Sequence, residues 1–372
     1  MMKKILLVSC GGLGNGGVQA VMMSIVRKLH TKYTFDVLLF TSEQRTYDEE
    51  FLSYGGSILR IPYYEGKSCL RRKIDYYVRG RKLYHKVKTL IHKNGPYDVI
   101  HCNNEFESAL ILKAASKHIP IRIAHTHIIN TKGNLLAQCL NIHRKSIIEQ
   151  YATVKLACSE EASRSFFKRT DNVEIVNNPY DENRFNISRF EKRAEKEFLL
   201  LQIGSFCNNK NQSFSIDVFN AIHQTYANAK LIFVGFQYDG YRRYLEKEVA
   251  AYGLEKSILF YPDNADTPRL LSQSAFLLFP SHHEGFGIVL LEAQAMGVRC
   301  YASDSVPQQA NCGGVQFLPL EKGARYWAQV IINNYEQTKG CWTDYDLSKF
   351  TTKAVIAIYD KLYNSQSSQN QT

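Results

Sequence analysis

Residues 275–297 read AFLLFPSHHEGFGIVLLEAQAMG. A five-residue apolar run stops at a proline, a polar turn carries glycines at 285 and 287, and an apolar stretch of helical length follows. A strand this short and this uniformly apolar, closed by a glycine-rich loop that opens a helix, belongs to a parallel sheet covered on both faces. Working outward, the same alternation holds on either side. Strand-like runs at 198–203, 230–234, 257–260 and 299–301 are separated by helix-length segments at 212–227, 241–252 and 288–296. Upstream, strands are predicted at 4–9, 35–40, 57–61, 98–101, 121–125, 154–158 and 173–176, with apolar residues recurring at three and four over 18–32, 70–92 and 105–117. The segment 177–196, NNPYDENRFNISRFEKRAEK, interrupts this rhythm with a proline and no apolar period. The expectation is an α/β protein of two doubly wound, Rossmann-like domains facing each other across a cleft. The first spans 1–190 and the second 191–345. Residues 346–372 supply a C-terminal helix over 350–362 that packs back on the first domain, then a frayed polar tail.

The 372 residues are 45% hydrophobic and 22% charged, a folded-protein composition that excludes disordered, collagenous and mini-protein readings. The net charge of +11 is carried by one half: residues 1–190 hold 29 Lys and Arg against 17 Asp and Glu. Such asymmetry suits an anionic partner, whether nucleic acid, membrane surface or phosphorylated substrate, against the plainer reading of a solvated basic face. The nine cysteines are odd in number, scattered and free of any C-x-x-C pair, as in a reducing cytoplasmic setting. The start, MMKKILLVSC, has lysines before an apolar run, but 5–8 is too short for a signal peptide, and no stretch reaches the length of a membrane span. Any membrane contact is expected to be peripheral.

Four places carry candidate chemistry. The loop 10–17, CGGLGNGG, fits G-x-G-x-x-G through Gly12, Gly14 and Gly17, but a nicotinamide site also needs an acidic residue at the end of the second strand, where only Glu43 stands. Phosphate or substrate contact is the preferred reading, with a plain tight turn beside it. His125 and His127, in AHTHIIN, share a face near a strand end. No third ligand stands near them for a metal, so they read as substrate hydrogen-bonders or as structural histidines. Glu284 and Glu292 flank the Gly285–Gly287 helix start, so vicinal hydroxyls of a ribose and a hexose suit the carboxylates and a diphosphate suits the helix N-terminus. After the strand 198–203, Gly204 turns the chain toward Lys210 and Asn211 at a helix entrance, where a lysine neutralises a diphosphate or merely decorates the surface.

Together these residues resemble the retaining GT-B glycosyltransferases of family 4, the branch that builds bacterial capsules and exopolysaccharides. The carriers are GGVQ (16–19), AHTHIIN (124–130), NNPYDENRF (177–185), the G-x-F-x-x-x-K-N element (204–211), and EGFGIVLLE, an E-x7-E motif, followed by Gly297 and by Ser303-Asp304. The resemblance implies an acceptor-binding first domain and a nucleotide-sugar-binding second domain. It implies that Glu292 holds the ribose, Glu284 touches the donor sugar, and the amides of Gly285, Phe286, Gly287 and Ile288 meet sugar and phosphate. Lys210 stabilises the departing diphosphate beside Gly204 and Ser205. Gly16 and Gly17 approach the phosphate, and His127, in preference to His125, contacts the transferred sugar. Two positions depart from the family. Ser205 stands where arginine is usual, with Arg299, Arg242 and Arg243 as conceivable substitutes, and Gln19 stands where an acidic residue is usual.

The implied reaction is metal-independent and cofactor-free transfer of a hexose from a nucleoside diphosphate sugar, with UDP expected, to a lipid-linked saccharide. The only D-x-D, at 344–346, reads as surface. Arg71, Arg72, Lys73, Arg79, Arg81, Lys82, Lys86 and Lys88 crowd one amphipathic helix, suited to an anionic membrane at the inner face of the cell. Nucleic acid is not expected, since no recognition motif accompanies the charge. Three alternatives stay open: a catalytically silent nucleotide-sugar-binding partner of a transferase, an NAD-dependent oxidoreductase, and a sugar-nucleotide epimerase.

Overall fold

The computed structural model describes residues 2–14, 16–62, 69–103, 106–129, 135–191, 197–236 and 239–365. The chain forms two compact units, one of Met1–Asn178 with Lys353–Thr372 and one of Pro179–Thr352.

The first unit holds β1 (Lys3–Ser9), α1 (Gly17–Leu29), β2 (Tyr33–Leu39), α2 (Asp48–Ser53), β3 (Ser57–Arg60), α3 (Cys69–Asn94), β4 (Val99–Cys102), α4 (Ser108–Ala115), β5 (Ile121–Thr126), α5 (Leu135–Tyr151), β6 (Val154–Ala157), α6 (Glu160–Phe166) and β7 (Glu174–Ile175). Its seven strands run in the order β3-β2-β1-β4-β5-β6-β7, every pair parallel. Ile5, Leu6, Leu7 and Val8 are wholly buried, as consecutive apolar residues must be when helices cover both faces. The chain reverses direction across the sheet between β1 and β4, which is where such sheets open a crevice at their carboxyl ends.

The second unit repeats the plan with β8 (Leu199–Ile203), α7 (Gln212–His223), β9 (Lys230–Val234), α8 (Asp239–Ala251), β10 (Ile258–Tyr261), α9 (Thr267–Gln273), β11 (Phe276–Phe279), α10 (Ile288–Ala295), β12 (Arg299–Ser303), β13 (Val315–Leu318) and α11 (Gly323–Thr338). The order β10-β9-β8-β11-β12-β13 is again wholly parallel, with its reversal between β8 and β11. Leu200, Phe233, Phe276, Tyr301 and Trp327 lie in one core, and the Phe214 and Trp327 rings meet edge to face at 5.3 Å to join α7 to α11. Sequence periodicity gave no signal for α2, α5, α6, α9, α11 or β13. The polar pairs Asn333-Asn334 and Glu336-Gln337 in α11 hide an apolar stripe of only Trp327, Ala328, Ile331 and Ile332.

The units meet in sequence at Asn178 and Pro179, whereas composition set the boundary at 190. The polar segment after Pro179 belongs to the second unit because Tyr180 pairs with it. Its N–H donates to Phe350 O at 3.1 Å, and the Thr352 N–H donates to Glu182 Oε2 at 2.9 Å. The last helix, α12 (Thr352–Asn364), belongs from Lys353 onward to the first unit. Lys3 Nζ donates to Tyr363 O at 2.8 Å, Tyr33 OH donates to Asp360 Oδ1 at 2.7 Å, and Tyr359 and Tyr363 are fully buried. Among the described residues no helix is long and apolar enough to cross a membrane.

Candidate active site

In the second unit, the loops after β8 and β11 bring Lys210 and Glu284 together. Lys210 Nζ donates to Glu284 Oε1 at 2.5 Å and stands 5.3 Å from the Phe279 ring centre. Glycine makes this approach possible: a Cβ on Gly204 would lie 3.2 Å from Lys210 Cε, and one on Gly235 would lie 2.0 Å from Gly204 O. Gln202 donates through Nε2 to Lys210 O at 2.6 Å, so the lysine's backbone is pinned from the strand beneath it. Gly287 caps α10 at φ +92°, a left-handed conformation that a side chain resists, and leaves the first turn without a side-chain cap.

Glu292 sits half-buried in the second turn of α10. Burial pushes its carboxyl up to about 7, while Arg184 pulls it down and Asp181 pushes it up. Both neighbours come from the segment after Pro179. Arg184 also donates through Nη2 to Thr267 Oγ1 at 3.2 Å. The sequence carried no sign that this polar segment reaches the glutamate.

Ser205 accepts a bond from Gln212 Nε2 on its carbonyl at 3.1 Å. Of the cations weighed as substitutes for the missing arginine, Arg299 is the first residue of β12, level with Phe276, at the amino end of the strands and away from these loops. The strand direction removes it. Arg242 and Arg243 lie at the start of α8, which follows the carboxyl end of β9. Arg242 Nε donates to Glu246 at 2.7 Å, its guanidinium is 5.5 Å from the Phe260 ring centre, and Arg243 is exposed. Asp346 of the D-x-D accepts the Ser348 N–H at 2.9 Å in an ordinary turn. Asp344 and Tyr345 line a cavity of about 330 Å³ together with Tyr180 and Trp342.

In the first unit, His125 is wholly buried and His127 is 7% exposed, just past the end of β5. Their ring centres are 3.9 Å apart. His125 Nδ1 lies 3.0 Å from His101 Nε2, and His101 Nδ1 lies 2.7 Å from Tyr363 OH. His125 is thus wired through β4 to α12. His127 Nε2 lies 3.0 Å from Asn103 Oδ1, and its Nδ1 is 3.1 Å from the Asn178 carboxamide. Because Asn103 Nδ2 donates to His101 O at 3.2 Å, its oxygen is left to accept the His127 Nε2 proton. Burial holds all three rings neutral: His101 is pushed down to about 3, His127 to about 4 and His125 well below its ordinary value. Among the described residues no group of three His, Cys, Asp or Glu side chains is arranged to hold a metal. Asn103 was not distinguished from the sequence, and Asn178 stood in the NNPYDENRF element without a role, although it closes the first unit.

The glycine loop at the start of α1 folds tightly. Gly14 N donates to Gly12 O at 3.0 Å, and a Cβ on Gly12 would lie 2.7 Å from Arg45 Cγ. Gln19 fills the space beside it, donating to Ser9 Oγ at 3.2 Å, while a Cβ on Gly16 would meet its Oε1 at 2.4 Å. Glu43, the acidic residue that a nicotinamide site would require, is paired with Arg45. Of the basic helix, Lys82 and Lys86 are exposed on α3, while the side chains of Arg71, Arg72, Lys73, Arg79 and Arg81 lie outside the described residues.

Lys210 and Glu284 thus pair beside the Gly287-led start of α10, at the point where the strand order of the second sheet reverses. Residues 183–311 match the family described as glycosyl transferases group 1. EpsF of Bacillus subtilis, which carries a glycosyltransferase assignment, is 27% identical, with 88% of this chain and 87% of EpsF covered. GDP-mannose:cellobiosyl-diphosphopolyprenol alpha-mannosyltransferase of Xanthomonas campestris is 25% identical, with 93% and 90% covered. The structure of Anabaena HepE in complex with UDP and glucose superposes with a TM-score of 0.77 at 18% identity, covering 98% of this chain and 100% of HepE. Residues 183–311 are thus similar to group 1 glycosyltransferases, and the fold is that of the GT-B glycosyltransferases.

Proposed function

We propose that the protein is a retaining glycosyltransferase of the family 4 type, moving a hexose from a nucleoside diphosphate sugar to a lipid-linked saccharide during surface polysaccharide synthesis. The observation that carries this reading is the meeting of Lys210 with Glu284 beside the uncapped, Gly287-led start of α10. A diphosphate needs a cation and unpaired N–H groups, and a sugar needs a carboxylate to accept its hydroxyls. Glu292, one turn further on, suits a ribose. The HepE structure holds UDP and the Xanthomonas enzyme is named for GDP-mannose; UDP is the base expected for this chain, and GDP is the one to test against it.

In the proposed reaction an acceptor hydroxyl oxygen bonds to the anomeric carbon on the face from which the diphosphate departs. The bond between that carbon and the phosphate oxygen breaks with its electron pair going to the diphosphate. The hydroxyl proton passes to a phosphate oxygen, so anomeric configuration is retained and charge balances. Lys210 and the amides of Gly285, Phe286, Gly287 and Ile288 hold the developing negative charge without a resident metal or cofactor. Gly16 and Gly17 approach the phosphate, with Gly204 and Ser205 beside Lys210. His127, held neutral with its ring nitrogens on Asn103 and Asn178, gives up one of those two bonds to reach the sugar, while His125 supports it from the interior. The lysine- and arginine-rich α3 rests on the anionic inner face of the membrane, where the acceptor resides.

Calorimetric titration with UDP and GDP tests this reading. One of them binds the wild-type protein, and Lys210→Ala and Glu292→Ala each weaken it at least ten-fold. Binding without turnover on any lipid-linked acceptor favours the silent-partner alternative, since Ser205 lacks a charge at its position. Turnover that EDTA abolishes and Mn²⁺ restores overturns the metal-free mechanism. Failure to bind anionic vesicles at low salt removes the membrane role of α3.

A further inference from the structure

The two loops that carry Lys210 and Glu284 are sewn together by side-chain amides. Asn209 O accepts the His282 N–H at 2.9 Å, and Asn209 Oδ1 accepts the His283 N–H at 3.2 Å. Asn209 Nδ2 donates to His283 O at 2.8 Å, and Asn211 Nδ2 donates to Pro280 O at 3.1 Å. With Gln202 holding the Lys210 carbonyl from below, the backbones on both sides of the ion pair are fixed. What remains free to move is the pair of side chains. They are 21% and 12% exposed, so solvent and ligand reach them.

On the donor-site reading above, the Lys210 ammonium faces two anions in turn. A diphosphate brought to it while Glu284 stays in place would sit about 5 Å from the carboxylate, a distance at which two negative charges repel strongly in a partly buried site. We infer that Glu284 and the donor diphosphate exchange on Lys210: the ion pair opens when a sugar offers its hydroxyls to Glu284, and closes once the sugar has left, expelling the nucleoside diphosphate. The inference rests on the donor-site reading above and gives Glu284 a second task, in product release. A sugar-bearing donor compensates Glu284 for the loss of Lys210. A bare nucleoside diphosphate offers it nothing, so the resting pair discriminates against the product.

The experiment compares wild type, Glu284→Gln and Glu284→Ala by calorimetry against UDP, GDP, UDP-glucose and GDP-mannose, with thermal unfolding of each variant as the check on folding. Both variants bind the nucleoside diphosphate about ten-fold more tightly than wild type, about 1.4 kcal/mol by the standard conversion. The sugar-bearing form loses its advantage over the bare one in both. Rapid-mixing release of the nucleoside diphosphate slows by a similar factor. Nucleoside diphosphate affinity that is unchanged or weaker in both folded variants, while wild type binds it, overturns the exchange and leaves the donor site standing. A wild-type protein that binds none of the four ligands removes the donor-site reading, and the exchange with it.

Discussion

Replacing Gly235 by alanine tests how the donor loops are held. The new Cβ would lie 2.0 Å from Gly204 O, 2.6 Å from Gly204 C and 3.2 Å from Ser205 N, against the 3.0 Å floor that Cβ contacts respect. All three are backbone atoms, so no side-chain rotation relieves the clash and one loop must retreat by about an ångström. The retreat strains two bonds that continue the β8–β9 ladder, Gly204 N to Val234 O at 2.8 Å and Phe206 N to Phe236 O at 2.9 Å. At about 1 kcal/mol each, with a further 1–3 kcal/mol of overpacking, the expected loss is about 3–5 kcal/mol. For a unit of this size that lowers the melting temperature by about 6–20 °C. Because Gly204 packs against the Lys210 stem, the same displacement pulls Lys210 from Glu284 and weakens nucleoside diphosphate binding. Gly253→Ala is the control: its φ of +67° makes alanine costly by about 1–2 kcal/mol, but nothing lies within 4 Å of the added carbon. Calorimetric scanning with UDP and GDP titration on both variants separates the effects. If Gly235→Ala melts with Gly253→Ala and binds nucleotide as wild type does, the close backbone contact is not what holds the site.

Three further outcomes follow from the charges and the helix contacts. Burial raises the Glu292 carboxyl to about 7, so the protonated form is favoured on folding; its stabilisation is complete below the unfolded carboxylate range and lost as pH rises through about 7. The carboxylate is the better acceptor for hydroxyls, so donor affinity rises between pH 6 and 8, and Glu292→Gln flattens both the affinity and the stability profiles in titrations at several pH values. His101 and His127 are depressed to about 3 and 4, so neutral rings stabilise the first unit above pH 6.5 and that contribution is lost as pH falls toward those values. His101→Asn reduces the acid slope of unfolding by about 1.4 kcal/mol per pH unit over that window, measured by denaturant melts. Tyr363→Phe deletes the 2.7 Å contact with His101 and costs about 1–2 kcal/mol, and amide exchange in α12 quickens before the rest of the unit.

What the sequence yields and what it withholds divide along a physical line. The stretch 275–297 was readable because a buried parallel strand, a glycine that must take a positive φ and an apolar helix each leave a local mark, and the structure places β11, Gly287 and α10 there. The same local marks placed Lys210 and Glu284 separately at helix entrances. Their contact spans 74 positions and exists because β8 and β11 are neighbours in the sheet. Strand order is set by packing across the whole unit, and no residue near either loop encodes it. Arg184 near Glu292, Asn103 and Asn178 beside His127, and Tyr363 on His101 are invisible for the same reason, since each is an ordinary polar residue until the chain returns to it. The missing arginine at 205 is the instructive case. Sequence could note the absence and name three cations, but only strand direction shows that Arg299 stands at the wrong end of β12, while Arg242 and Arg243 begin a helix at the right one. Arg242 is held by Glu246 and the Phe260 ring in this state, so compensation by it would require that pair to open, as Lys210 must leave Glu284. A site whose cations rest on carboxylates until an anion arrives binds weakly to a product without its sugar, and the loss of one fixed arginine then tilts the balance toward release.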